Sequence, residues 1–353
     1  MNTLWQFPIF RVLSCVIGLF RSRSIKIASL MFGLGLSFSL IAAACSPSPT
    51  SDASAPASAP ASAPAQERVV RIGHQKFDPF TLVKARGGLE KRLEPLGVTV
   101  EWTEFQAGPP MLEALNVGSI DIARTGDAPP VIAQAADAPL LYIGGSAPKD
   151  RSSAVLVKPD SPIKTVADLR GKKVAYAKGS SANYLIVRVL ESGGLKLSDV
   201  ESVYLSPADA RSAFEQGSVD AWAVWDPFYA AAQKQANARV VRDSEGLVAN
   251  RDFYLAANTF AADNQDIIDA IAQETQAIAA WADANPNEVV QILSPILGID
   301  APILDVVTKR RNYGFEPINA EMIAEQQAIA DSFYELGLIP KAVKVEDIVW
   351  TPS

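Results

Sequence analysis

The sequence predicts an α/β architecture with mainly parallel sheets, divided into two lobes. Three observations carry this. Short β-type runs alternate with helical patterns through the first two-thirds of the folded segment. Some ~285 residues follow the leader and tether described below, more than a single domain of typical size holds. Several strands also end in a Gly, Asp or Pro break that opens a helix.

In chain order the strands are RVVRIG (68–73), VTVEWTEF (98–105), DIA (121–123), PLLYIGG (139–145) and SAVLV (153–157). They continue with KVAYA (173–177), VESVYL (200–205), DAWAVW (220–225), ARVVR (238–242) and YLAAN (254–258). Helical patterns lie between most of them. After Asn258 the pattern is helical over 264–284, 287–297, 301–311 and 319–335. In KKVAYAKGSSANYLIVRVLESGG (172–194), a strand breaks at Lys178-Gly179-Ser180-Ser181. A helix then runs from Ala182 with Leu185 facing Val189 and Ile186 facing Leu190, a serine N-cap and a Gly193 stop. We expect 68–156 and 255–353 to form one lobe with the C-terminal helices, and 157–254 the other. No internal repeat is found.

The N-terminus has a different character. Residues 1–44 hold Arg11, Arg21, Arg23 and Lys26 and no acidic residue, and the apolar run IASLMFGLGLSFSLIAAA ends at Cys45. That pattern is a secretory signal peptide; the run is also long enough to span a membrane uncut. LIAAAC followed by Ser46 resembles the lipobox of bacterial lipoproteins, whose cysteine is lipidated, with Ala42 where the pattern usually has leucine. Residues 46–67 are nearly all Ser, Ala and Pro, a composition that buries no apolar face and makes an extended tether or a glycosylated stalk. The expected location is therefore extracytoplasmic, lipid-anchored to a membrane at Cys45.

Removing the leader leaves 28 basic and 39 acidic residues, a formal charge of −11. An acidic chain without a basic run argues against a nucleic-acid partner. Cys15 lies in the leader, so a lipidated mature chain has no free thiol, no disulfide and no cysteine nucleophile. With one histidine, His74, and no His/Cys cluster, a metal site or serine–histidine chemistry has no spacing signature. Gly87-Gly88 alone does not specify a phosphate loop. No cofactor is expected.

What the strand ends offer is anion binding. GHQKFDPFTL, QAGPPMLEAL, RTGDAPPVIAQA, KGSSANYLIV and WDPFYAAAQ each follow a strand and open a helix. In open α/β sheets ligands sit beyond the carboxyl ends of the strands, and helix N-termini there present N–H donors and a positive dipole end. Each motif alone also reads as an ordinary helix cap; five in one chain point to a shared cleft.

These motifs carry a resemblance. QAGPPMLEALNVGSID (106–121), RTGD (124–127), SPIKTVADLRG (161–171), KGSS (178–181) and DAWAVWDP (220–227) resemble the periplasmic aliphatic sulfonate-binding proteins of ABC importers. YLSPADARSAFEQG (204–217) and NAEMIAEQQAIADSFYELGLIPKAV (319–343) are similar to that family as well, and the likeness runs from Val69 to Pro352. It implies a two-lobed type II periplasmic binding fold with the ligand cleft between lobes. It further implies a monomer that captures a sulfonate and delivers it to a membrane permease. Nitrate, taurine, a sulfate ester or a pyrimidine precursor are alternative ligands within the wider group. A desulfinase-like enzyme is the remaining alternative, against which the missing cysteine stands.

A sulfonate is a permanent monoanion with three acceptor oxygens, so it needs donors. Gly179, Ser180 and Ser181 supply N–H groups and hydroxyls at one helix start. Thr125, Gly126 and Asp127 do so at another, and Gly108 allows close backbone approach at a third. Gln75 and Lys76 follow the first strand, and Trp225 and Phe77 are candidates to line the tail. Asp127 and Asp226 sit in the set mainly as N-caps, Trp225 reads more as core than as site, Lys76 and Lys178 divide evenly between solvated surface and site, and His74 reads as structural. Arg124 stands where the family pattern has serine. At the cleft mouth it would meet the sulfonate or a second acidic group on the ligand; otherwise it pairs with Asp127 or Asp121. Since neither a sulfonate nor these donors titrate near neutrality, binding is expected to be nearly flat from pH 6 to 9.

Overall fold

A computed structural model describes residues 68–352; the leader, Cys45 and the tether lie outside the described residues. One sheet is built from β1 (Arg68–Gln75), β2 (Val98–Phe105), β3 (Ile122–Gly126), β4 (Leu140–Gly145) and β10 (Asp252–Ala257), in the order β2-β1-β3-β10-β4. The other contains β5 (Ser153–Val157), β6 (Lys173–Tyr176), β7 (Glu201–Tyr204), β8 (Ala221–Trp225) and β9 (Arg239–Asp243), in the order β7-β6-β8-β5-β9. All ten strand runs read from the sequence are present. Burial follows position in the sheet. Central β10 is buried at every residue, while edge strand β2 buries Val98 and exposes alternate residues, the pattern expected of a half-covered strand.

Helices α1 (Pro79–Arg86), α2 (Gly88–Leu93), α3 (Gly108–Asn116) and α4 (Ala128–Ala135) flank the first sheet. Helices α5 (Ser181–Ser192), α6 (Pro207–Gln216) and α7 (Phe228–Gln235) flank the second. The C-terminal part is helical as expected: α8 (Asn258–Asp263), α9 (Gln265–Ala284), α10 (Pro286–Leu297), α11 (Ala301–Arg310) and α12 (Ala320–Glu335). Gly87, at φ +62°, ends α1, and a side chain on Gly88 would strike the Glu274 carboxylate, so this pair is a helix break packed on α9.

Two expectations change. The sheets are mixed. β1 pairs parallel with β2 and β3, whereas β10 runs antiparallel to both β3 and β4. The second sheet repeats this, with β6 parallel to β7 and β8 but β5 antiparallel to β8 and β9. The reversed strands are those entered directly from the other sheet, without a helical crossover to restore direction. The switch between sheets therefore falls before Ser153 and before Asp252, not at 156/157 and 254/255.

Three cores follow. Ile72, Ile122 and Tyr254 pack against Ile267 and Ile271 of α9 and Leu304 of α11. Leu156, Trp222 and Val224 pack against Phe214 and Tyr229. A third core joins the lobes, from Ala123 and Leu255 through Val131 of α4 and Leu185 of α5 to Phe333 of α12.

Candidate functional site

The carboxyl ends of β1, β3 and β8 and the amino ends of the reversed strands meet at one cavity. The first lobe contributes Gln75, Lys76 and Phe77 after β1, Gly108 at the start of α3, Arg124, Thr125 and Gly126 of β3, and Pro129. The second contributes Ser180, Ser181, Trp225 and Asp226. Lys149, Ser152, Asn250 and Arg311 complete the wall.

The floor is a buried charge cluster. Antiparallel register sets Asp252 opposite Gly126 and Tyr254 opposite Arg124, so the Asp252 carboxylate lies at the sheet end beside the arginine. Asp252 is wholly buried and faces three cations: Arg124, in close contact, Lys149 at 3.0 Å and Arg311 at 2.7 Å. Asp78 lies 3.8 Å from Arg124 and is otherwise occupied, accepting from Gln75 N at 2.7 Å and Thr81 N at 2.8 Å as the cap of α1. Arg124 also donates to Gln75 Oε1 at 3.1 Å. Arg124, Lys149 and Arg311 thus converge on Asp252, with Asp78 beside Arg124 and with Asp127 and Asp226 acting on Lys149 from farther off. Desolvation pushes the Lys149 ammonium well below its ordinary range, with Arg124 and Arg311 adding to the effect. Desolvation, aided by Arg311, brings Arg124 down to about 9. Buried like charges of this kind are stabilised by an added anion.

Around the floor stand donors without protein partners. Among the described residues Thr125 Oγ1, Arg124 Nε and Arg311 Nε are buried and unbonded. The α5 start behaves differently from the sequence expectation in one respect. Ser180 is the N-cap: its hydroxyl accepts from Ala182 N at 3.2 Å and donates to Ala177 O at 2.7 Å. The Gly179 N–H is taken by Asn183 Oδ1 at 3.0 Å, and Gly179 does not line the cavity. Its φ of +71° and the Ile132 side chain, 2.9 Å from where a Cβ would stand, account for the glycine. Ser181, at the first helical position, keeps its N–H free of any intrahelical acceptor.

Asp127 is likewise behind the wall. Its carboxylate caps α4 through Ala128 N at 2.8 Å and accepts a bond from the Ser181 hydroxyl, which comes from the other lobe. Desolvation raises its pKa and the Ser181 bond opposes that. Gly126 is required for this approach, because a Cβ there would lie 2.2 Å from Ser181 Oγ. Gly108 has a parallel role within the first lobe, with Thr125 Oγ1 at 2.1 Å from its Cβ position.

Asp226 lines the cavity; it stands one residue before Pro227, the N-cap of α7, and accepts from Ala230 N at 3.0 Å while facing Arg310 at 3.5 Å. Burial raises it to about 6 against the pull of Arg310. Trp225 is half-buried in the wall and meets Phe228 edge-on at 6.3 Å. Phe77 is buried at φ +57°, an uncommon backbone for a bulky residue, held at the cavity edge. His74 is packed against Trp102 and the Thr81 hydroxyl, and Lys178 lies over Tyr204, both outside the wall.

Arg124 requires the largest correction. It is not at the mouth but at the floor, and its carboxylate partners are Asp252 and Asp78; Asp121 pairs instead with Arg71. Sequence reasoning also missed Lys149, Ser152, Asn250 and Arg311. The first three sit on the two lobe crossings, where Asn250 at φ +53° ties Ser152 and Ser153 together at 2.9 and 2.8 Å. The available signal was the pairing of adjacent strand runs with no helix between, which marks such crossings.

Residues 96–289 match the protein-family model described as NMT1/THI5 like. The solved alkanesulfonate-binding protein SsuA from Xanthomonas axonopodis pv. citri bound to MOPS is 39% identical with a TM-score of 0.78, covering 81% of this chain and 99% of its own. The periplasmic aliphatic sulphonate binding protein SsuA from Escherichia coli is 45% identical with a TM-score of 0.74, covering 82% and 94%. The desulfurization enzyme DSZB, at 14% identity and a TM-score of 0.60, shares the fold alone.

Proposed function

The chain belongs to the aliphatic sulfonate-binding proteins, and on that premise we propose that its cleft captures an aliphatic sulfonate for delivery to an ABC permease. The observation that carries the reading is the convergence of three cations, Arg124, Lys149 and Arg311, on the one buried carboxylate of Asp252 at the cavity floor. A sulfonate supplies one negative charge and three acceptors, which suits these cations and the free donors Thr125 Oγ1, Arg124 Nε and Arg311 Nε. Four charge-assisted hydrogen bonds would total about 6–12 kcal/mol gross, against about 8 net for a micromolar complex. Trp225 and Phe77 offer apolar surface to the tail.

We read the site as a binding site without catalysis. No cysteine follows Cys45, and His74 is engaged in packing and capping contacts outside the cavity wall. We further place the protein outside the cytoplasmic membrane, as a monomer anchored through Cys45 and the tether; mass spectrometry of the mature N-terminus tests the anchor.

The test of ligand class is a thermal-shift panel of butane-1-sulfonate, taurine, nitrate, a sulfate ester and a pyrimidine precursor in sulfonate-free buffer. Ligand bound to the folded state raises the melting temperature, by about 2.7 kcal/mol of stability at a hundred times Kd. Butane-1-sulfonate is expected to give a clear upward shift. No shift with it, together with a shift from nitrate or the pyrimidine precursor, would overturn the sulfonate reading.

A further inference from the structure

A second cavity, sharing Lys76 with the first, lies between α6–α7 of one lobe and the α10–α11 connection of the other. Its apolar wall is Phe228 and Ala231 on one side and Ile299 and Ile303 on the other. Lys76 lines both cavities. The rest of the partition is one short stretch of chain: Trp225 and Asp226 face the first cavity, Pro227 and Phe228 the second.

The electrostatics of this side chamber are one-sided. Lys76 is half-buried, and its ammonium has no hydrogen-bond or ion-pair partner among the described residues. Arg211 is the other cation in the wall, already held by Glu215 and Gln235 at 2.8 Å each. No carboxylate lines the second cavity. Asp226, the one carboxylate among the residues lining the first, already faces Arg310 and accepts from Ala230 N. A ligand tail directed from the floor past Trp225 would meet Lys76, the one uncommitted charge that the two cavities share.

Resting on the sulfonate reading above, we propose that Lys76 is the specificity-determining residue for the tail. The preferred ligands are then sulfonates whose far end is acidic, and those whose far end is an amine are disfavoured. The lysine stem covers apolar tail while its head meets the terminal group. A half-exposed ammonium–carboxylate contact is weaker than a buried one but adds to the repulsion of an amine.

The test is a calorimetric series of matched length in sulfonate-free buffer at pH 7.5: 3-sulfopropanoate, butane-1-sulfonate and 3-aminopropane-1-sulfonate. The mature wild-type chain is expected to bind the acidic tail about tenfold or more tighter than the amine tail, with butane-1-sulfonate between them. In Lys76→Met that ratio should collapse to about threefold or less, and Lys76→Glu should invert it. Unchanged melting temperatures of the unliganded variants confirm folding. Equal wild-type affinity for all three tails, or a ratio that neither variant moves, overturns the role of Lys76. Failure of every member to bind overturns the sulfonate reading beneath it too.

Discussion

Ser180 and Ser181 are adjacent and chemically identical, yet they do different work. Ser180 closes the helix on itself through Ala182 N and Ala177 O, whereas Ser181 reaches across to Asp127 in the other lobe. Ser180→Ala should therefore appear mainly as lost stability, about 1 kcal/mol, the ordinary cost of a lost serine cap. Ser181→Ala should appear mainly as weaker ligand binding, about tenfold, since one hydroxyl bond of about 1–1.5 kcal/mol is lost and a buried carboxylate loses a donor. Melting curves and titration calorimetry on the two single variants separate these. Equal effects on both readouts would show that the serines act as one unit.

The charged residues of the floor alter the pH dependence expected from the sequence. A sulfonate does not titrate, but Lys149 is pushed well down and Asp226 is raised to about 6. Raising the pH ionises Asp226 and then strips protons from the floor, Lys149 before Arg124, because a guanidinium holds its proton more firmly. Both steps remove positive charge, so affinity should fall as pH rises from 5.5 to 9, by about threefold or more. Calorimetry at three pH values checks this. A flat profile would mean the cations stay protonated, and a rise would contradict the charge assignment.

At the scale of elements, the glycines and caps that shape the cleft were legible because their causes are local. A proline or serine at a helix start, and a glycine where two segments touch, leave a mark within a few residues. Reversal of β5 and β10 was not legible, because direction is decided by which sheet the chain enters rather than by its periodicity. Lys149, Asn250 and Asp252 were lost with it, and Arg311 sits after α11, far in sequence from every strand end. Arg124, which the sequence alone puts at the cleft mouth, lies at the floor because its partner Asp252 comes from a strand 128 positions later that pairs in reverse. The same contact between elements gives a prediction. Gly126→Ala sets a methyl 2.2 Å from Ser181 Oγ, so the lobes could not approach as they do here. Each lobe should remain folded, while affinity drops by about tenfold or more, as expected when a binding-competent closed state becomes rare. Small-angle scattering should show ligand-induced compaction in the wild type and not in Gly126→Ala; equal compaction in both would exclude this contact from closure.

For the whole molecule, the lobes give a cleft that neither could form alone. The first lobe brings Arg124 on β3, Asp252 on β10 and Arg311 after α11, a crossing brings Lys149, and the second lobe brings the α5 start and the Trp225 wall. Closing them over an anion excludes water and strengthens each donor bond. The acidic net charge of the chain sets its solubility and does not oppose this, because the field at the floor is governed by Arg124, Lys149 and Arg311 at contact distance. The central claim, that the sulfonate sits on that cation cluster, is tested most directly by an anomalous difference map from crystals of the mature chain grown with 2-bromoethanesulfonate. The sulfur should lie within hydrogen-bonding reach of Thr125 Oγ1 and the Arg124 or Arg311 guanidinium, with bromine directed toward Trp225 and Lys76. A bound ligand whose sulfur lies away from those cations, or outside the cleft, would contradict the account.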